Sequence, residues 1–491
     1  MSERRAPLGA ITWEDRTTSP QRKDVILLYP NDTILVGRDK GNNDLVLQSP
    51  FVSGCQFEIY SIIVDEEYKH PPLAFVRDRG SSNGTCVNGQ LIGKHPRLSQ
   101  ARILEHGDVV TIGRHPGLAF TYVQLLPSRP SYTLSAIQKE EVELFKNRFN
   151  ISDREHVACK VYDISRFSPQ SRQIEKIRQE AALLSTLDHP NVLPIRAAFE
   201  TRQTIYLITD FATGGDVYSL LMKHGTMEEI MIRSIVRQIL RGLAYIHSKG
   251  VAHRDIKPEN ILCGITPRAP YRIMLSDFGS AAAAGRRRMK SRVGTDFYRA
   301  PECHGDQGYD FSADIWGVGL VALQLLFGYN ELPGFWSVRF GSQTEVDNYI
   351  DEVFGTLAKK GRAFEAGERF VRACLTYKSQ KRPTAVKALY HDWLQTPEAD
   401  KRTFEDLEAE NVRSWKPQPV KFPVIENLTE KSVSMKAPGS ILTSGVATLY
   451  EGVSPHFAGS QEADAVFELN DSIEEMLQPF ALPIPPTDTG V

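Results

Sequence analysis

The residues best suited to chemistry lie in the second half of the chain. His253-Arg254-Asp255-Ile256-Lys257-Pro258-Glu259-Asn260 is followed by Asp277-Phe278-Gly279 and then by Ala300-Pro301-Glu302. Asn260 and Asp277 offer an amide oxygen and a carboxylate, hard donors of the kind a small divalent cation demands while it keeps part of its water shell. A carboxylate such as Asp255 can accept a hydroxyl proton, and the Lys257 ammonium two residues on can meet an anion. Ile261-Leu262 and Ile273–Leu275 read as a hairpin that brings Asn260 and Asp277 together, with Gly264–Tyr271 as an insertion. Upstream, Val157-Ala158-Cys159-Lys160 reads as a strand. Glu180 lies in a helical pattern whose Ile174, Ile177, Ala181 and Leu184 share one face.

In this order the motifs resemble the eukaryotic protein kinases over roughly residues 132–395. The resemblance implies phosphoryl transfer from ATP with Mg²⁺, which depends on positioning and charge neutralisation more than on covalent catalysis. It implies that Asp255 orients the acceptor hydroxyl, that Lys257 meets the γ-phosphate, and that Asn260 and Asp277 hold the metal. Lys160 takes the place of the lysine on the α/β-phosphates, with Glu180 as its ion-pair partner; taken alone, such a Lys and Glu are more often unrelated surface charges. Leu207–Ala212 resembles the adenine-binding hinge, with Thr209 as gatekeeper and Asp210 and Ala212 assigned to the nucleotide. Asp216 stands where the family binds ribose, and a plain turn residue is its competing reading. Asp314 resembles the tie between the catalytic loop and the next helix, and Glu302 with Arg382 the ion pair bracing the large lobe.

Lys257 and Gly294-Thr295 resemble serine/threonine rather than tyrosine kinases. Asp216 and Glu259 are acidic where related kinases recognise arginine upstream of the phosphosite, so basic substrates are expected. Arg254 is placed to pair with a phosphate on the activation loop (280–299). Ser291 is the candidate site there, with Thr295 expected to hydrogen-bond Asp255 and Lys257.

One part of the pattern is missing. No glycine lies between Gly117 and Gly214, and the place of the family's glycine-rich loop is held by residues 136–143, with Glu140 and Glu141 among them. Glycines let backbone N–H groups approach phosphates closely, whereas side chains crowd them and carboxylates repel them. Three readings stay open: weakened but real activity, lost catalysis in a phosphopeptide-binding scaffold, or a mistaken gene model with a displaced exon. Survival of Lys160, Glu180, Asp255, Asn260 and Asp277 favours activity.

Residues 24–126 read as all-β, with short apolar runs (among them Val25–Leu28, Ile34–Val36, Phe57–Val64, Leu73–Val76 and Asp108–Ile112) between turn residues. Asn88-Gly89 marks a hairpin, because Asn-Gly tolerates positive φ. Gly37-Arg38, Ser53 and Ser81-Ser82-Asn83-Gly84-Thr85-Cys86-Val87-Asn88-Gly89 resemble the forkhead-associated (FHA) β-sandwich, a phosphothreonine reader. The resemblance implies that Arg38 binds the phosphate, that Ser53 and Ser82 donate hydroxyls to it, and that Asn83 holds the peptide backbone. Gln56 stands where the family has a structural histidine, and Gly54 where many members have another phosphate donor.

The expected organisation is multidomain: a flexible N-terminus (1–23), the FHA sandwich (24–126), a linker (127–131), a bilobal α+β kinase fold (132–395) and a largely disordered tail (396–491). Within the tail, Thr403–Trp415 carries a short-helix pattern and Ile473–Leu482 that of a docking motif, with a solvated tail the stronger reading of both. The net charge of −2 and the absence of a basic stripe speak against direct nucleic-acid binding. Ile315–Phe327 is too short to span a bilayer, and the start of the chain has no apolar signal core. Scattered cysteines without CxxC pairing fit a reducing compartment. Arg286–Arg288 reads as solvated loop charge rather than a nuclear signal.

The module order resembles CaMK-like DNA-damage and meiotic checkpoint kinases of fungi and animals, which implies a nuclear location, with the cytoplasm as a second one. Ser-Gln occurs at Ser99, Ser342, Ser379 and Ser460, and only the last falls in the tail. With no room for an N-terminal SQ/TQ cluster, the phosphothreonine ligand is expected on an adaptor protein, which leans toward the meiotic branch. Recruitment of two copies to that adaptor would let activation loops be phosphorylated in trans by self-association.

Overall fold

The computed structural model describes residues 7–125 and 157–415, apart from the internal stretches 17–21, 31, 63–72, 96–100, 114, 126–156, 166, 169–170, 202, 266–270, 284–297, 305–309, 329–331 and 333–339, and also 426–427, 448–449 and 462–467. Among the described residues no helix is long and apolar enough to cross a membrane.

The N-terminal module is a β-sandwich. Its strands are β1 (Gly9–Asp15), β2 (Arg22–Leu28), β3 (Thr33–Gly37), β4 (Leu45–Val46), β5 (Phe57–Ile62), β6 (Leu73–Asp78), β7 (Thr85–Val87), β8 (Gln90–Gly93), β9 (Arg102–Ile103), β10 (Val109–Ile112) and β11 (His115–Gln124). One sheet runs β2-β1-β11-β10-β7-β8 and the other β4-β3-β5-β6-β9. Alternate residues point inward, so Ile11, Phe57, Ile59, Val76, Val110, Ile112 and Phe120 meet in one core, where Phe57 sits edge-on to Phe120 at 5.0 Å. The Asn88-Gly89 turn is the expected hairpin, with positive φ at both residues and Val87 opposite Gln90.

The sandwich begins earlier than the pattern indicated. Residues 1–23 read as flexible, yet β1 lies inside a sheet, paired with β11 on one side and β2 on the other. Only Ile11 and Trp13 mark its inward face, too short an alternation to stand out. Their burial against Phe120, on which Trp13 stacks, fixes the strand.

In the second module β12 (Val157–Asp163), β13 (Ile195–Glu200) and β14 (Thr204–Asp210) form an antiparallel sheet over helix α1 (Arg172–Ser185). Tail residues extend this sheet: β19 (Glu426–Asn427) lies parallel to β13, and β21 (Glu462–Phe467), itself paired with β20 (Thr448–Leu449), lies antiparallel to β12 with Asp464 opposite Lys160. An open strand edge invites such addition.

The larger lobe is helical: α2 (Val217–His224), α3 (Glu229–Ser248), α4 (Ser312–Phe327), α5 (Gln343–Lys359), α6 (Glu365–Cys374), α7 (Ala385–Leu389), α8 (Asp392–Gln395) and α9 (Glu398–Ser414). Between α3 and α4 lie the short strands β15 (Val251–Ala252), β16 (Ile261–Gly264), β17 (Arg272–Leu275) and β18 (Ala282–Ala283). Helix α3 ends at Ser248, and Gly250 just beyond it takes positive φ. Ser312, whose hydroxyl would suit a helix cap, is instead the first residue of α4, and Asp310 accepts from its backbone N–H at 2.8 Å. The Ser312 hydroxyl donates to the same Asp310 carboxylate.

The tail reading is corrected by α9. Arg233, Arg237 and Arg241 occupy successive turns of α3, and Asp400, Phe404 and Glu408 successive turns of α9. Arg233 pairs with Asp400, and Glu408 with both Arg237 and Arg241. The Arg233 and Arg237 guanidinium groups each lie 5.1 Å from the buried Phe404 ring. Buried arginines on α3 require partners: α9 supplies the carboxylates, and the Thr396 and Leu394 carbonyls accept from Arg233 and Arg237. The docking-motif candidate, Ile473–Leu482, lies outside the described residues.

Candidate active site

The catalytic loop is held from behind by a buried carboxylate. Asp314, in the first turn of α4, accepts from the backbone N–H of His253 at 2.9 Å and of Arg254 at 2.7 Å, and its Oδ2 lies 2.8 Å from His247 Nε2. Burial pushes its carboxyl up, but His247 and the backbone donors more than offset this and hold it below the usual range. Arg254 takes a left-handed backbone, with φ of 71°, at the point where the loop turns. His253 anchors the other side: Nε2 lies 2.8 Å from the Ser276 carbonyl and its ring sits edge-on to Phe278.

These restraints converge on Asp255. Asn260 Nδ2 donates to Asp255 Oδ2 at 2.8 Å and to its carbonyl at 2.9 Å, while Lys257 Nζ lies 3.4 Å from the same Oδ2. The β16–β17 hairpin forms as the sequence indicated, with Ile261 opposite Leu275, and Ser276 N–H donates to the Asn260 carbonyl at 2.9 Å. That bond sets Asp277 beside Asn260.

Lys160 reaches this pair from β12, its Nζ 3.7 Å from Asp277 Oδ1. The Lys160 ammonium holds the Asp277 carboxyl below the ordinary carboxylate range. Glu180 is buried on α1, where the Tyr162 hydroxyl donates to it at 3.4 Å, and Lys160 Nζ stands 5.2 Å over the Tyr162 ring. Tyr162 thus touches both members of the expected ion pair. Its signal was its position two residues after Lys160, on the same strand face. A side chain at Gly279 would sit 3.3 Å from both Asp277 Oδ1 and Glu180 Oε2, so glycine lets them approach.

The hinge follows β14. The Thr209 hydroxyl donates to the Asp210 carbonyl at 3.3 Å, and the Asp210 carboxylate is held by Arg196 and Arg272. Ala212 is buried, and Gly214 N–H donates to the Cys263 carbonyl at 2.8 Å. Asp216 caps α2, accepting from Ser219 N–H at 2.6 Å, so its turn role is real. Ser291, Thr295 and the glycine-free stretch 136–143 lie outside the described residues.

The sequence model of the protein kinase domain matches residues 145–394, half of the chain, and that of the FHA domain matches residues 34–113. The chain belongs to the protein kinase family. It is 28% identical over 396 residues to a probable serine/threonine-protein kinase, fhkC, of Dictyostelium discoideum, covering 76% of this chain and 63% of that one. It is also 28% identical to the meiosis-specific serine/threonine-protein kinase mek1 of Schizosaccharomyces pombe, over 77% of this chain and 84% of that one. A crystal structure of Rad53 1-466 in complex with AMP-PNP aligns to 78% of this chain and 100% of its own at 23% identity, with a TM-score of 0.39.

This kinase carries a well-formed FHA loop cluster. Arg38 is exposed, its N–H bonded to the carbonyls of Ser53 and Gly54 at 2.9 and 3.0 Å. Ser53 Oγ accepts from Ser82 N–H at 2.9 Å, and Asn83 Nδ2 donates to the Phe51 carbonyl at 2.7 Å. All four expected ligand residues therefore meet at one end of the sandwich. Gln56 does the work expected of a histidine: fully buried, its Oε1 accepts from Ser53 N–H at 2.9 Å and its Nε2 donates to the Gly84 carbonyl at 3.1 Å. Beside it Asp78, also buried, accepts from Ser81 and Thr85 hydroxyls at 2.5 and 2.6 Å. A Cβ at Gly37 would lie 2.3 Å from the Gly54 carbonyl, which explains glycine before Arg38.

Proposed function

We propose that this protein transfers the γ-phosphoryl group of ATP to serine or threonine in protein substrates, and that its FHA module recruits it to a phosphothreonine-bearing adaptor. The observation that carries the reading is the single cluster of Asp255, Lys257, Asn260, Asp277 and Lys160 at the lobe junction. Asp255, fixed by Asn260, accepts the hydroxyl proton as the oxygen attacks, and Lys257 steadies the anion that forms. Lys160 holds the triphosphate from above, and the hinge backbone from Asp210 to Ala212 takes the adenine.

The donor set fits magnesium. Asn260 spends its amide N–H₂ on Asp255, which leaves Oδ1 as the acceptor, and Asp277 keeps its carboxylate charged beside Lys160. Among the described residues no group of three or more acidic, His or Cys side chains gathers, in keeping with a cation that takes its remaining oxygens from water and phosphate. Bound Mg²⁺ would neutralise charge on the phosphates.

Asp216 and Glu259 support a preference for basic residues upstream of the phosphosite, and the kinship with the meiosis-specific kinase mek1 supports a role in meiotic signalling. Adaptor-driven self-association would let one copy phosphorylate Ser291 in another. The test is phosphate transfer by the purified protein to an arrayed peptide library, beside Asp255→Ala. Transfer lost in the variant, with selection for upstream Arg, supports the reading. Equal signal from both proteins sinks it.

A further inference from the structure

The outer face of the FHA sheet is covered by the kinase hinge. On β5 and β6 the pairs Tyr60–Phe75 and Ile62–Leu73 face away from the sandwich core. Side chains on an outer face usually meet water, but Tyr60 is only 3% exposed and Phe75 0%. Phe211, the hinge residue between Asp210 and Ala212, stacks on Phe75 at 5.9 Å, and Phe75 stacks on Tyr60 at 5.4 Å. The Tyr60 hydroxyl donates to the Thr213 carbonyl at 3.0 Å. Lys223 of α2 lies 5.2 Å over the Tyr60 ring. A Cβ at Gly215 would stand 3.0 Å from Ile62 Cγ2, so the hinge closes on Ile62 through a glycine.

The same two strands lead to the phosphothreonine site. Gln56, which ties the Ser53 loop to Gly84, immediately precedes β5, and Asp78, which gathers the Ser81–Thr85 loop, ends β6. Tyr60 is four residues from Gln56 and Phe75 three from Asp78, a run of about 10–13 Å along paired strands. Paired strands with packed faces transmit displacement because neither can move without the other.

We propose that this FHA face is a second wall of the nucleotide hinge, with Tyr60, Ile62 and Phe75 as positioning residues for its backbone, so that nucleotide and phosphothreonine-peptide binding are linked. This rests on the reading that ATP occupies the hinge and a phosphopeptide the Arg38 loops. Linkage of this kind is reciprocal: each ligand changes the other's affinity by the same factor.

The 491-residue chain, with both modules present, tests it. Calorimetry with AMP-PNP and Mg²⁺ is run with and without a saturating phosphothreonine peptide taken from an oriented library. A change of about threefold or more in nucleotide affinity is expected, matched by an equal change in peptide affinity with nucleotide present. Steady-state kinetics of Ile62→Asp and the milder Tyr60→Phe add a second reading. Expected is a KM for ATP raised about fivefold and twofold, with kcat at saturating ATP within twofold of the parent and Ile62→Val unchanged. Peptide binding by each variant verifies that its sandwich is folded. Unlinked ligands and unaltered KM in folded variants overturn this inference alone. A parent protein that binds no nucleotide overturns the kinase reading and this inference with it.

Discussion

Asn260 Nδ2 and Asp255 Oδ2 are 2.8 Å apart, so the residue assigned to the metal also orients the carboxylate assigned to the proton. The two act as one unit, and their variants should not be additive. Asp255→Asn should lower kcat by about 10²–10⁴-fold with nucleotide affinity nearly intact. Asn260→Ala should lower kcat comparably and also raise the Mg²⁺ concentration needed for half-maximal rate. Magnesium titrations of both variants and the double variant check this; a double variant whose loss is the product of the singles contradicts it.

The FHA loops hang on Gln56. Arg38→Ala should abolish phosphothreonine-peptide binding without shifting the melting temperature, because Arg38 is exposed. Gln56→Ala should weaken binding by more than tenfold and destabilise the sandwich by about 1–3 kcal/mol, since the half-buried Ser53 N–H loses its acceptor and the Gly84 carbonyl is left with the Gly113 N–H alone. Fluorescence anisotropy with thermal melts separates the two outcomes.

Docking of α9 on α3 predicts a stability loss remote from the active site. Phe404, 1% exposed between two guanidinium groups, should cost about 3–5 kcal/mol when replaced by alanine. The kinase-module transition in denaturant titrations reads this out; an unchanged midpoint would mean that α9 does not stay on α3 in solution.

Acid sensitivity should arise at His189. Burial, helped by the Arg241 charge, pushes its imidazole down from 6.5 to about 4, and its Nδ1 accepts from Asn191 N–H at 3.1 Å. Between these values the unfolded chain binds a proton that the folded chain refuses, so stability falls as pH drops through this window and is level above it. The slope is at most about 1.4 kcal/mol per pH unit. His189→Asn should flatten it, measured by denaturant midpoints from pH 4.5 to 7.5. Parallel slopes in parent and variant would locate the effect elsewhere.

Sequence alone determined the chemistry-bearing residues, because motif spacing along one strand or loop is local: Asp255 to Asn260, Gly37-Arg38, and Asn88-Gly89 each set their geometry within a few residues. It also indicated the two modules, through the change from period-two to helical patterning. Tertiary structure decided what depends on distant partners. Nothing near Trp13 marks β1 as an interior strand until Phe120 packs on it. Gln56 looked like a departure until its bonds to Ser53 and Gly84 showed it bridging two loops. The arginines of α3 make sense only with Asp400 and Glu408 opposite them, some 170 residues away. Tyr60, on an outward-facing strand position, is buried because the hinge lies over it. Burial and charge pairing are settled between surfaces, and a chain read in order shows only one surface at a time.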